Sequence, residues 1–600
     1  MPYGVGRGDN LVGISVTSSQ ADFITAQIQH HIDIVTGNSG NSKAALTVVP
    51  GLGIIIPTAL NVCKDPTAEW IPPPWFDVNK IRDPELRAKW QKADHKELKG
   101  ILEDRKCARE VLLDEVLASG VPMHDIIGSL MNHSIKRDDS LKSRALSRGD
   151  HMQQFTHYYR SHAPTMMAVS QRFLFAFGAA HGLKFAGGDF SQAFANAPLD
   201  TSEQYYMWPP PGARQTDEQG RRIVWHVEKS LYGGKNSARN WFKLLRKFLI
   251  SYNFTPCPTE PCIFSRRQDG HVMIIGVYVD DFLVLYDDED QFTSLATEIK
   301  KTFDFTVQSP LVDMCGIEVT ETPGHITLTL TSNITNMATR FLTGEDLTKS
   351  KSVPCTDAHD GTALEDLVKK AISSQSEVDA EIRKEFQEIV GSLLYIAMVV
   401  RPDIAYSVGM LSRAMSSPSP ELLESARDVL RYLYTTRDLG LRYRRCVDAV
   451  LSGQADSDWG VEASVSAYVF FMAGCAISYL SKKQPTIAMS STEAEIYAAS
   501  LAGLEAIFLR SLVEQLSGYV LESPTVIDVD NTGAVNMSED YVANSRNRHF
   551  TRRHLKVREL VEDELVRLNS IPTDENVSDI MTKPLSVRRF RVLRAKLLNM

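Results

Sequence analysis

Short apolar runs alternate with amphipathic helical segments along residues 182–330, a pattern typical of an α+β domain built on a central sheet. Residues 87–119 place apolar side chains at intervals of three and four among many Lys and Glu, which predicts helices before that domain. Helical patterns dominate residues 380–443. A second strand-rich stretch begins at Leu451 and gives way to helix after Ser490. The pattern therefore predicts two regions with central sheets, joined by mainly helical chain.

Residues 1–85 carry no strong periodicity, and we treat them as an N-terminal extension of unknown role. Within them, residues 44–63 are uncharged and long enough to raise the question of a membrane span. Pro50, Gly51, Gly53 and Pro57 interrupt that stretch, so we predict buried strands or loop there and no membrane partner.

Composition adds modest constraints. Hydrophobic residues make up 43% and charged residues 23% of the 600 positions, which is ordinary for a folded globular protein. The formal net charge of −9 argues mildly against a nucleic-acid binder, although basic residues cluster at 221–247, 546–558 and 588–596. Most such clusters are only solvated helix faces. Eight cysteines without a CxxC pair disfavour a zinc site or disulfide framework, and the N-terminus lacks the pattern of a secretory signal, so an intracellular, reducing location is expected.

A first group of acids carries candidate chemistry. Residues 273–286 set Asp280 and Asp281 between two strongly apolar, β-prone runs, which predicts a hairpin turn at the edge of a buried sheet. Asp189 ends another apolar run, and Ala193-Phe194 begins the next element. Three carboxylates from two neighbouring strands have the donor chemistry to hold two Mg²⁺ ions for an in-line displacement at phosphorus.

A second group of acids lies nearer the C-terminus. Asp456 and Asp530 end β-like runs, whereas Glu495 opens a helix with Ser491 and Thr492 as candidate caps. Single acids at strand ends are usually surface residues. Only the occurrence of four such acids in this order along the chain indicates a functional site. Its four members are Asp456, Glu495, Asp530 and Asp579.

Short motifs occur in a fixed order along the chain: DFSQAF from Asp189, SLYGGK from Ser230, YVDD from Tyr278, MCGIE from Met314, GSLLY from Gly391, RPDIAY from Arg401 and SKKQPT from Ser481. In these motifs, and from roughly Trp90 to the C-terminus, the chain resembles the Pol polyprotein of copia-type LTR retrotransposons, in its reverse transcriptase and ribonuclease H portion. One segment departs from the family, which usually shows SLYGLKQ followed by a small residue, Pro and Arg. The replacements are Gly234, Asn236 and Ala238, and they are expected to loosen the segment.

The resemblance implies an α+β right-hand polymerase with fingers, palm and thumb, followed by an α/β ribonuclease H-like domain. It assigns the fingers and palm to residues 86–345, a mainly helical thumb or connection to residues 346–447, and the ribonuclease H with a basic C-terminal tail to residues 448–600. The implied activities are RNA-directed and DNA-directed DNA synthesis, together with cleavage of RNA in RNA–DNA hybrids.

For the polymerase, the resemblance implies Asp189, Asp280 and Asp281 as catalytic metal ligands. It places Phe194 beneath the incoming sugar, where the ring would exclude a 2′-hydroxyl, and a core aromatic is the alternative. Further expected nucleotide contacts follow from the same motifs. Lys142 and Arg144 would face the triphosphate, although a solvated pair of cations fits nearly as well. The other residues expected to contact the nucleotide are Tyr232, Gly233, Lys235 and Tyr278.

For the ribonuclease H, the resemblance implies that the four C-terminal acids bind two Mg²⁺ ions, with Mn²⁺ as an alternative, and so position water against an RNA phosphate. The choice of Asp456 over Asp458, and of Glu495 over Glu493, rests on short motifs, and Glu493 fits a capping-box acid equally well. The family commonly has an Asp two residues after the His of its basic stretch, where this chain has Thr551. Two roles therefore stay open for His549: it would contact substrate or simply pack.

The expected partners are an RNA template, a DNA primer, RNA–DNA hybrid and deoxynucleoside triphosphates, with the integrase and capsid proteins of the same element. The expected location is a cytoplasmic virus-like particle, with the nucleus as a second site. Because no protease Asp-Thr-Gly or Asp-Ser-Gly and no integrase zinc pattern occurs, we expect a fragment, a processed product or a truncated copy. Two alternatives stay open: a degenerate inactive copy, and a host protein repurposed for nucleic-acid binding.

Overall fold

The computed structural model describes residues 71–135, 140–355, 361–374, 378–459, 464–539 and 552–600. The chain forms two compact units. Among the described residues, the first unit takes those from 71 to 163 and Gln192–Lys243, and the second takes Pro164–Ser191 and Leu244–Met600. The predictions for residues 44–63 and for His549 lie outside the described residues.

The α-helices of the described residues are numbered in chain order. Helices α1 to α14 span Pro84–Lys99, Leu113–Ala118, Ala168–Ala180, Ser237–Ser251, Glu289–Thr302, Thr331–Phe341, Gly361–Ser373, Ala380–Val399, Ala405–Ser412, Pro420–Thr435, Ser491–Ser517, Thr532–Glu539, Arg552–Glu562 and Val587–Leu598.

The strands of the described residues are numbered in the same way. Strands β1 to β20 span Ala108–Leu112, Ser129–Ile135, Leu141–Ser147, Lys184–Phe190, Tyr205–Met207, Ile223–Val227, Thr255–Pro256, Ile263–Gln268, His271–Tyr278, Asp281–Tyr286, Phe305–Gln308, Asp313–Met314, Ile317–Glu321, His325–Thr329, Leu441–Arg444, Ser452–Asp458, Val465–Met472, Cys475–Lys483, Thr525–Val529 and Val566–Ser570.

The first unit combines helix α1 with a three-stranded sheet of order β1-β6-β5 and the hairpin β2-β3. Helix α1 starts where it does because Asp83 caps the amides of Glu85 and Leu86 and Pro84 occupies the first turn. The core is apolar, and Ile127, Met131 and Trp225 are fully buried in it. Strand β3, which carries Lys142 and Arg144, pairs along its whole length with β2.

The second unit begins with a six-stranded antiparallel sheet of order β11-β4-β10-β9-β8-β7. Helix α3 is buried over most of its length. Gly178 lets it lie close to the sheet, because a Cβ there would be 2.6 Å from the Leu285 side chain and 2.7 Å from that of Phe185. This sheet confirms the predicted α+β region and supplies the edge on which the first group of acids lies.

A four-stranded sheet of order β12-β13-β14-β15 and mainly helical chain follow in the same unit. Helices α8, α9 and α10 pack together around a buried ion pair between Arg401 and Asp403, whose side chains are both 0% exposed. Described residues between 346 and 447 are therefore mainly helical, and their last strand, β15, returns to pair with β14.

A five-stranded sheet of order β18-β17-β16-β19-β20 forms the C-terminal part of the second unit. Strands β16, β17 and β18 are antiparallel, whereas β19 runs parallel to both β16 and β20. Helix α11 packs across β16, β17 and β19. Its N-cap is Ser490, which corrects the expectation that Ser491 or Thr492 caps it. Among the described residues, α11 is the one helix with the length and apolar composition to cross a membrane, and 67% of its most apolar window is buried in the protein.

Candidate metal centres

The first centre lies at one edge of the six-stranded sheet. Asp189, the penultimate residue of β4, pairs in register with Asp281, the first residue of β10. Asp281 also pairs with Tyr278 at the end of β9, so Val279 and Asp280 form the two-residue turn between these strands. The predicted hairpin is confirmed, and the structure brings the three acids to one sheet edge.

The turn itself is strained at Val279. This residue has a φ of +58°, and its side chain is only 9% exposed. A β-branched residue rarely adopts a left-handed backbone, and such a conformation costs on the order of 1 to 3 kcal/mol that the surrounding packing must offset. The two paired strands therefore hold the Val279-Asp280 turn in one defined shape, and this fixes the direction of both adjacent carboxylates.

Two glycines explain how Asp189 reaches this edge. A Cβ on Gly188 would lie 2.1 Å from the ring of Phe305, and one on Gly187 would lie 2.6 Å from the Leu311 side chain. The Phe305 ring of the neighbouring strand β11 and the Leu311 side chain after that strand can therefore pack against β4 only because both residues lack a side chain. The ring of Phe305 also packs 4.7 Å from that of Phe190, so the strand carrying Asp189 is anchored by apolar contacts.

The electrostatics of the first centre favour a bound cation. Burial raises the pKa of Asp281 to about 7, repulsion from Asp280 and Asp189 adds to the shift, and a hydrogen bond from the Cys315 thiol opposes it. Burial also raises the pKa of the Tyr278 hydroxyl well above its usual range. A carboxylate that is costly to ionise beside two others is stabilised by a cation among them.

Three residues expected to contact a nucleotide meet in the first unit. The guanidinium of Arg144 lies over the Tyr232 ring, 4.7 Å from its centroid, and the Phe194 ring meets the same tyrosine edge-on at 5.0 Å. Phe194 is 1% exposed. Tyr232 therefore contacts both other side chains, Arg144 over its ring face and the buried Phe194 edge-on.

The segment that departs from the family packs closely in the first unit. Gly233 has a φ of +89°, and a Cβ there would lie 2.0 Å from the Ser147 carbonyl oxygen. Asn236 donates a hydrogen bond of 2.9 Å to the buried carboxylate of Glu203. The expected loosening of this segment is therefore offset by contacts that its replacement residue makes. The remaining expected nucleotide contacts, Lys142 and Lys235 in this unit and Tyr278 in the second unit, are half-buried.

The second centre lies on the five-stranded sheet. Asp456 is on β16, Asp530 directly follows the parallel neighbour β19, and Glu495 lies in the second turn of α11. One ligand atom from each lies within 4.8 Å of the others, and this is the one such group of three or more His, Cys, Asp or Glu residues in the described chain. The acids of the first centre share an edge without converging so tightly.

The second centre also fits a cation. Burial raises the pKa of Glu495 to about 9, with repulsion from Asp456 and Asp530 adding to the shift. Burial likewise raises the pKa of Asp456 to about 7, with Asp579 as the next cause. The Glu495 Oε2 atom is buried and has no hydrogen-bond partner among the described residues. A buried carboxylate oxygen without a hydrogen-bond partner, close to two other acids, is a suitable oxygen donor for Mg²⁺ or Mn²⁺.

Neighbouring acids that the sequence left as alternatives occupy different positions. Glu493 accepts a hydrogen bond of 2.6 Å from the Met489 amide, and its own amide donates to Ser490, so it caps the start of α11. Asp458 is the last residue of β16 and is half-buried. Neither belongs to the group of converging ligand atoms.

Asp579 lies beside this group without joining it. Its side chain is fully buried, with Lys583 Nζ 2.6 Å from Oδ1 and the Arg589 guanidinium paired with Oδ2. Thr582 donates a hydrogen bond to the Asp456 carboxylate, so the segment that carries Asp579 touches the triad. The fourth expected ligand therefore pairs with a cation at each oxygen, although the Lys583 contact to Oδ1 is an ion pair without hydrogen-bond geometry.

Sequence reasoning missed the side chains that support the triad. The buried Gln484 amide donates to Ser457 Oγ at 3.1 Å, Ser466 Oγ at 2.8 Å and the Ala494 carbonyl at 3.0 Å. It thereby joins two strands of the sheet to the helix that carries Glu495. The SKKQPT segment contained this residue, but a polar residue in a motif does not reveal its partners.

Two of the five basic residues at 588–596 contact buried side chains of the protein. Arg589 pairs with Asp574 as well as Asp579, and Arg594 donates to the Tyr432 hydroxyl at 3.1 Å. Part of the positive charge of residues 588–596 is therefore paired within the protein.

A relative in yeast decides the family. The chain is 31% identical over 330 residues to a transposon Ty5-1 protein of Saccharomyces cerevisiae and covers 99% of that protein. The chain belongs to the copia/Ty1-type retrotransposon Pol family. Residues 124–356 of this Pol chain also match the family described as Reverse transcriptase (RNA-dependent DNA polymerase). The fold is accordingly that of a reverse transcriptase with a ribonuclease H-like portion.

Longer Pol polyproteins match most of the chain. The chain is 28% identical over 464 residues to the retrovirus-related Pol polyprotein from transposon TNT 1-94 of Nicotiana tabacum. The matched region is 76% of this chain and 34% of that protein. The retrovirus-related Pol polyprotein from transposon RE1 of Arabidopsis thaliana is 27% identical over 463 residues, covering 76% of this chain and 30% of its own length. The chain thus spans about a third of these relatives.

Solved structures give a fainter likeness. The foamy viral protease-reverse transcriptase in complex with double-stranded DNA matches with a TM-score of 0.40 at 12% identity, covering 91% of this chain and 97% of that one. A second structure, titled the N-terminal RNase H domain of rv2228c from Mycobacterium tuberculosis as a fusion with maltose binding protein, covers 24% of this chain and 96% of that one with a TM-score of 0.18 at 10% identity.

Proposed function

We propose that this chain is an RNA-directed and DNA-directed DNA polymerase with ribonuclease H activity, which copies retrotransposon RNA into DNA. The observation that carries the proposal is the presence of two separate carboxylate centres, each at the edge of its own sheet, in one member of this family. Nucleotide transfer and RNA hydrolysis both occur at phosphorus, and each needs its own set of acids to hold cations.

In DNA synthesis, Asp189, Asp280 and Asp281 would hold Mg²⁺ at the edge of the six-stranded sheet. Bound Mg²⁺ neutralises charge on the attacking and leaving oxygens of an in-line displacement. The primer 3′-oxygen forms a bond to the α-phosphorus, and the bond to pyrophosphate breaks. The strained Val279 turn and the glycines before Asp189 keep the carboxylates in place, so little reorganisation is needed as charge develops.

In the first unit, Arg144 and Lys142 are proposed to bind the triphosphate of the incoming nucleotide. The Arg144 guanidinium lies over the Tyr232 ring, so an aromatic face supports its charge at this position. Gly233, Lys235 and Tyr278 are proposed as further contacts, and Phe194 as the side chain that excludes a 2′-hydroxyl.

In RNA hydrolysis, Asp456, Glu495 and Asp530 would hold a divalent ion against a phosphate of the RNA strand. Water adds to phosphorus, and the bond to the 3′-oxygen breaks, leaving a 3′-hydroxyl end. Gln484 and Thr582 keep Asp456 and the helix of Glu495 in register with each other. No side chain forms a covalent bond in this step.

The proposed partners follow from these reactions and from the family. They are an RNA template, a DNA primer, RNA–DNA hybrid and deoxynucleoside triphosphates, with the integrase and capsid proteins of the same element. We propose a cytoplasmic virus-like particle as the location, with the nucleus as a second site.

The deciding experiment supplies purified chain with a labelled DNA primer on an RNA template, deoxynucleoside triphosphates and Mg²⁺, and separately with a labelled RNA–DNA hybrid. Primer extension and RNA cleavage are expected with Mg²⁺, and neither with chelator. Binding of the hybrid without either reaction would favour a repurposed nucleic-acid-binding protein. Failure to bind or react in a folded sample would favour a degenerate copy.

A further inference from the structure

The carboxylate of Asp579 is already occupied by two cations of this chain. Lys583 Nζ lies 2.6 Å from one oxygen, and the Arg589 guanidinium pairs with the other. Asp579 is 0% exposed, so the two cations take the role that water would otherwise play around its charge. Together they bring two positive charges to Asp579, which equals the charge of one divalent ion.

Arg589 is fixed in this position by further partners. The same guanidinium pairs with Asp574 at 2.6 Å and donates to the Thr573 carbonyl at 2.8 Å. Asp574 is 91% exposed, so water screens its charge and the buried pairing with Asp579 dominates. Arg589 is therefore a structural cation that leaves Asp579 only if this part of the fold rearranges.

Lys583 is placed differently, because among the described residues it forms an ion pair with Asp579 alone, whereas Arg589 also pairs with Asp574 and donates to the Thr573 carbonyl. The exposed fractions of the two side chains are 36% for Lys583 and 28% for Arg589. Lys583 directly follows Thr582, which donates to the Asp456 carboxylate. The positive charge of Lys583 opposes the rise in the pKa of both Asp456 and Glu495, so the ammonium group acts on the triad. The groups that act on it electrostatically are all acids: Asp456 and Asp458 from β16, and Asp579 from its own segment. One side of the ammonium thus faces the centre while part of the side chain reaches solvent.

We propose that Lys583 and Arg589 take the place of a second divalent ion at Asp579. The hydrolytic centre then binds one ion on Asp456, Glu495 and Asp530. Lys583 binds a phosphate oxygen of the RNA strand. This inference rests on the proposed ribonuclease H activity. It replaces the expectation of two ions on four acids with one ion, one lysine and one arginine. Asp579 becomes a positioning residue for Lys583 instead of a metal ligand.

The number of ions bound tests this assignment without reference to catalysis. Mn²⁺ bound per full-length chain is counted by electron paramagnetic resonance for the wild type and for Lys583→Met, Lys583→Arg, Asp530→Asn and Asp579→Asn. We expect Asp530→Asn to bind one Mn²⁺ fewer than the wild type. Lys583→Met should bind one more, because it frees an oxygen of Asp579, whereas Lys583→Arg and Asp579→Asn should match the wild-type count.

A matched control and a second measurement support the count. Lys556→Met removes a lysine that pairs with Glu559 at 3.1 Å on α13, and it should leave the count unchanged. Binding of a hybrid in Ca²⁺ is then followed against salt concentration. Loss of one phosphate contact should lower the slope of log affinity against log salt by about 0.7 to 0.9 in Lys583→Met and leave it unchanged in Lys556→Met.

The outcomes separate the two proposals. The role of Lys583 would be overturned if Asp579→Asn lost an ion. It would also be overturned if Lys583→Met gained no ion and kept the wild-type salt slope. In both cases the ribonuclease H proposal would stand. If Asp579→Asn does not fold, the count for the half-exposed Lys583→Met decides alone. If Asp530→Asn loses no ion and still cleaves the hybrid, the hydrolytic centre itself is wrong.

Discussion

The sharpest test of the nucleotide site is the substitution Phe194→Val. In the first unit the Phe194 ring is 1% exposed and meets Tyr232 edge-on at 5.0 Å, and Tyr232 in turn supports Arg144. Two roles are compatible with this position. Phe194 either excludes the 2′-hydroxyl of an incoming ribonucleotide, or it serves only as a core aromatic beneath Tyr232.

The structure gives the size of the stability effect. Shortening a fully buried Phe to Val should cost about 1 to 3 kcal/mol through lost burial and the cavity left behind. Loss of the edge-on contact with Tyr232 adds about 0.5 to 1.5 kcal/mol. Each kcal/mol corresponds to a fall of about 2 to 4 °C in the melting temperature of a unit of about 150 to 250 residues. These costs are expected in either role, so stability alone does not separate the two.

Discrimination between nucleotides does separate them. We expect Phe194→Val to raise kcat/KM for a ribonucleoside triphosphate relative to the matching deoxyribonucleoside triphosphate, because exclusion by bulk needs the ring. Each tenfold change in that ratio corresponds to about 1.4 kcal/mol of differential transition-state stabilisation. The control is Ile127→Ala, which removes a side chain that is 0% exposed in the core of the same unit and should lower stability without changing the ratio. An unaltered ratio in a folded Phe194→Val protein would remove Phe194 from the nucleotide site.

Three further predictions follow from the centres and the core. Asp280→Asn or Asp281→Asn should abolish primer extension while hybrid affinity, measured by fluorescence anisotropy, stays close to wild type, and wild-type extension by either variant would refute the assignment. Asp530→Asn should end RNA cleavage yet spare extension on a DNA template, and one substitution that silenced both reactions in a folded protein would contradict two separate centres. Asp403→Asn should cost about 3 to 5 kcal/mol, measured by hydrogen exchange in α8 and α10, because it leaves the buried Arg401 charge unpaired. Burial alone would raise the pKa of Asp403, but Arg401 outweighs it and lowers the pKa, so this contribution persists at neutral pH and disappears as pH falls below the usual carboxyl range. Equal protection in wild type and variant at pH 7 would refute it.

Local patterns were sufficient for the elements that carry the first centre. The apolar runs on either side of Asp280 and Asp281 have the length and β-branched composition of paired strands, and a two-residue connection leaves a hairpin as the economical solution. The sequence also shows two glycines before Asp189, but it does not show why these positions need glycine. Gly188 and Gly187 are required by Phe305 and Leu311, which lie more than a hundred residues away in sequence, and only the folded structure shows these contacts.

Helix caps and motif acids show the limit of local reasoning. Ser490, Ser491 and Thr492 are all good capping residues, and the sequence could not tell which has the extended backbone that a cap needs. The same ambiguity affected Glu493 and Glu495, which lie two positions apart on one helix. Burial decides their environments: Glu493 is half-exposed and caps the helix, whereas Glu495 is buried against Asp456 and Asp530.

Charge along the chain misleads in both directions. The net charge of −9 argues against a nucleic-acid partner, and the basic residues from 588 to 596 argue for one, yet neither count shows which charges face solvent. Arg589 and Arg594 contact Asp579 and Tyr432, so part of this cluster stabilises the fold. The basic face of α4 differs, because Lys243, Arg246 and Lys247 on this helix are exposed. Exposed cations of this second kind attract a phosphate backbone more strongly, since pairing with a buried carboxylate offsets part of a cation's charge. Lys583 combines both conditions: it pairs with the buried Asp579, and its own side chain is 36% exposed. The phosphate contact proposed for Lys583 depends on that exposure.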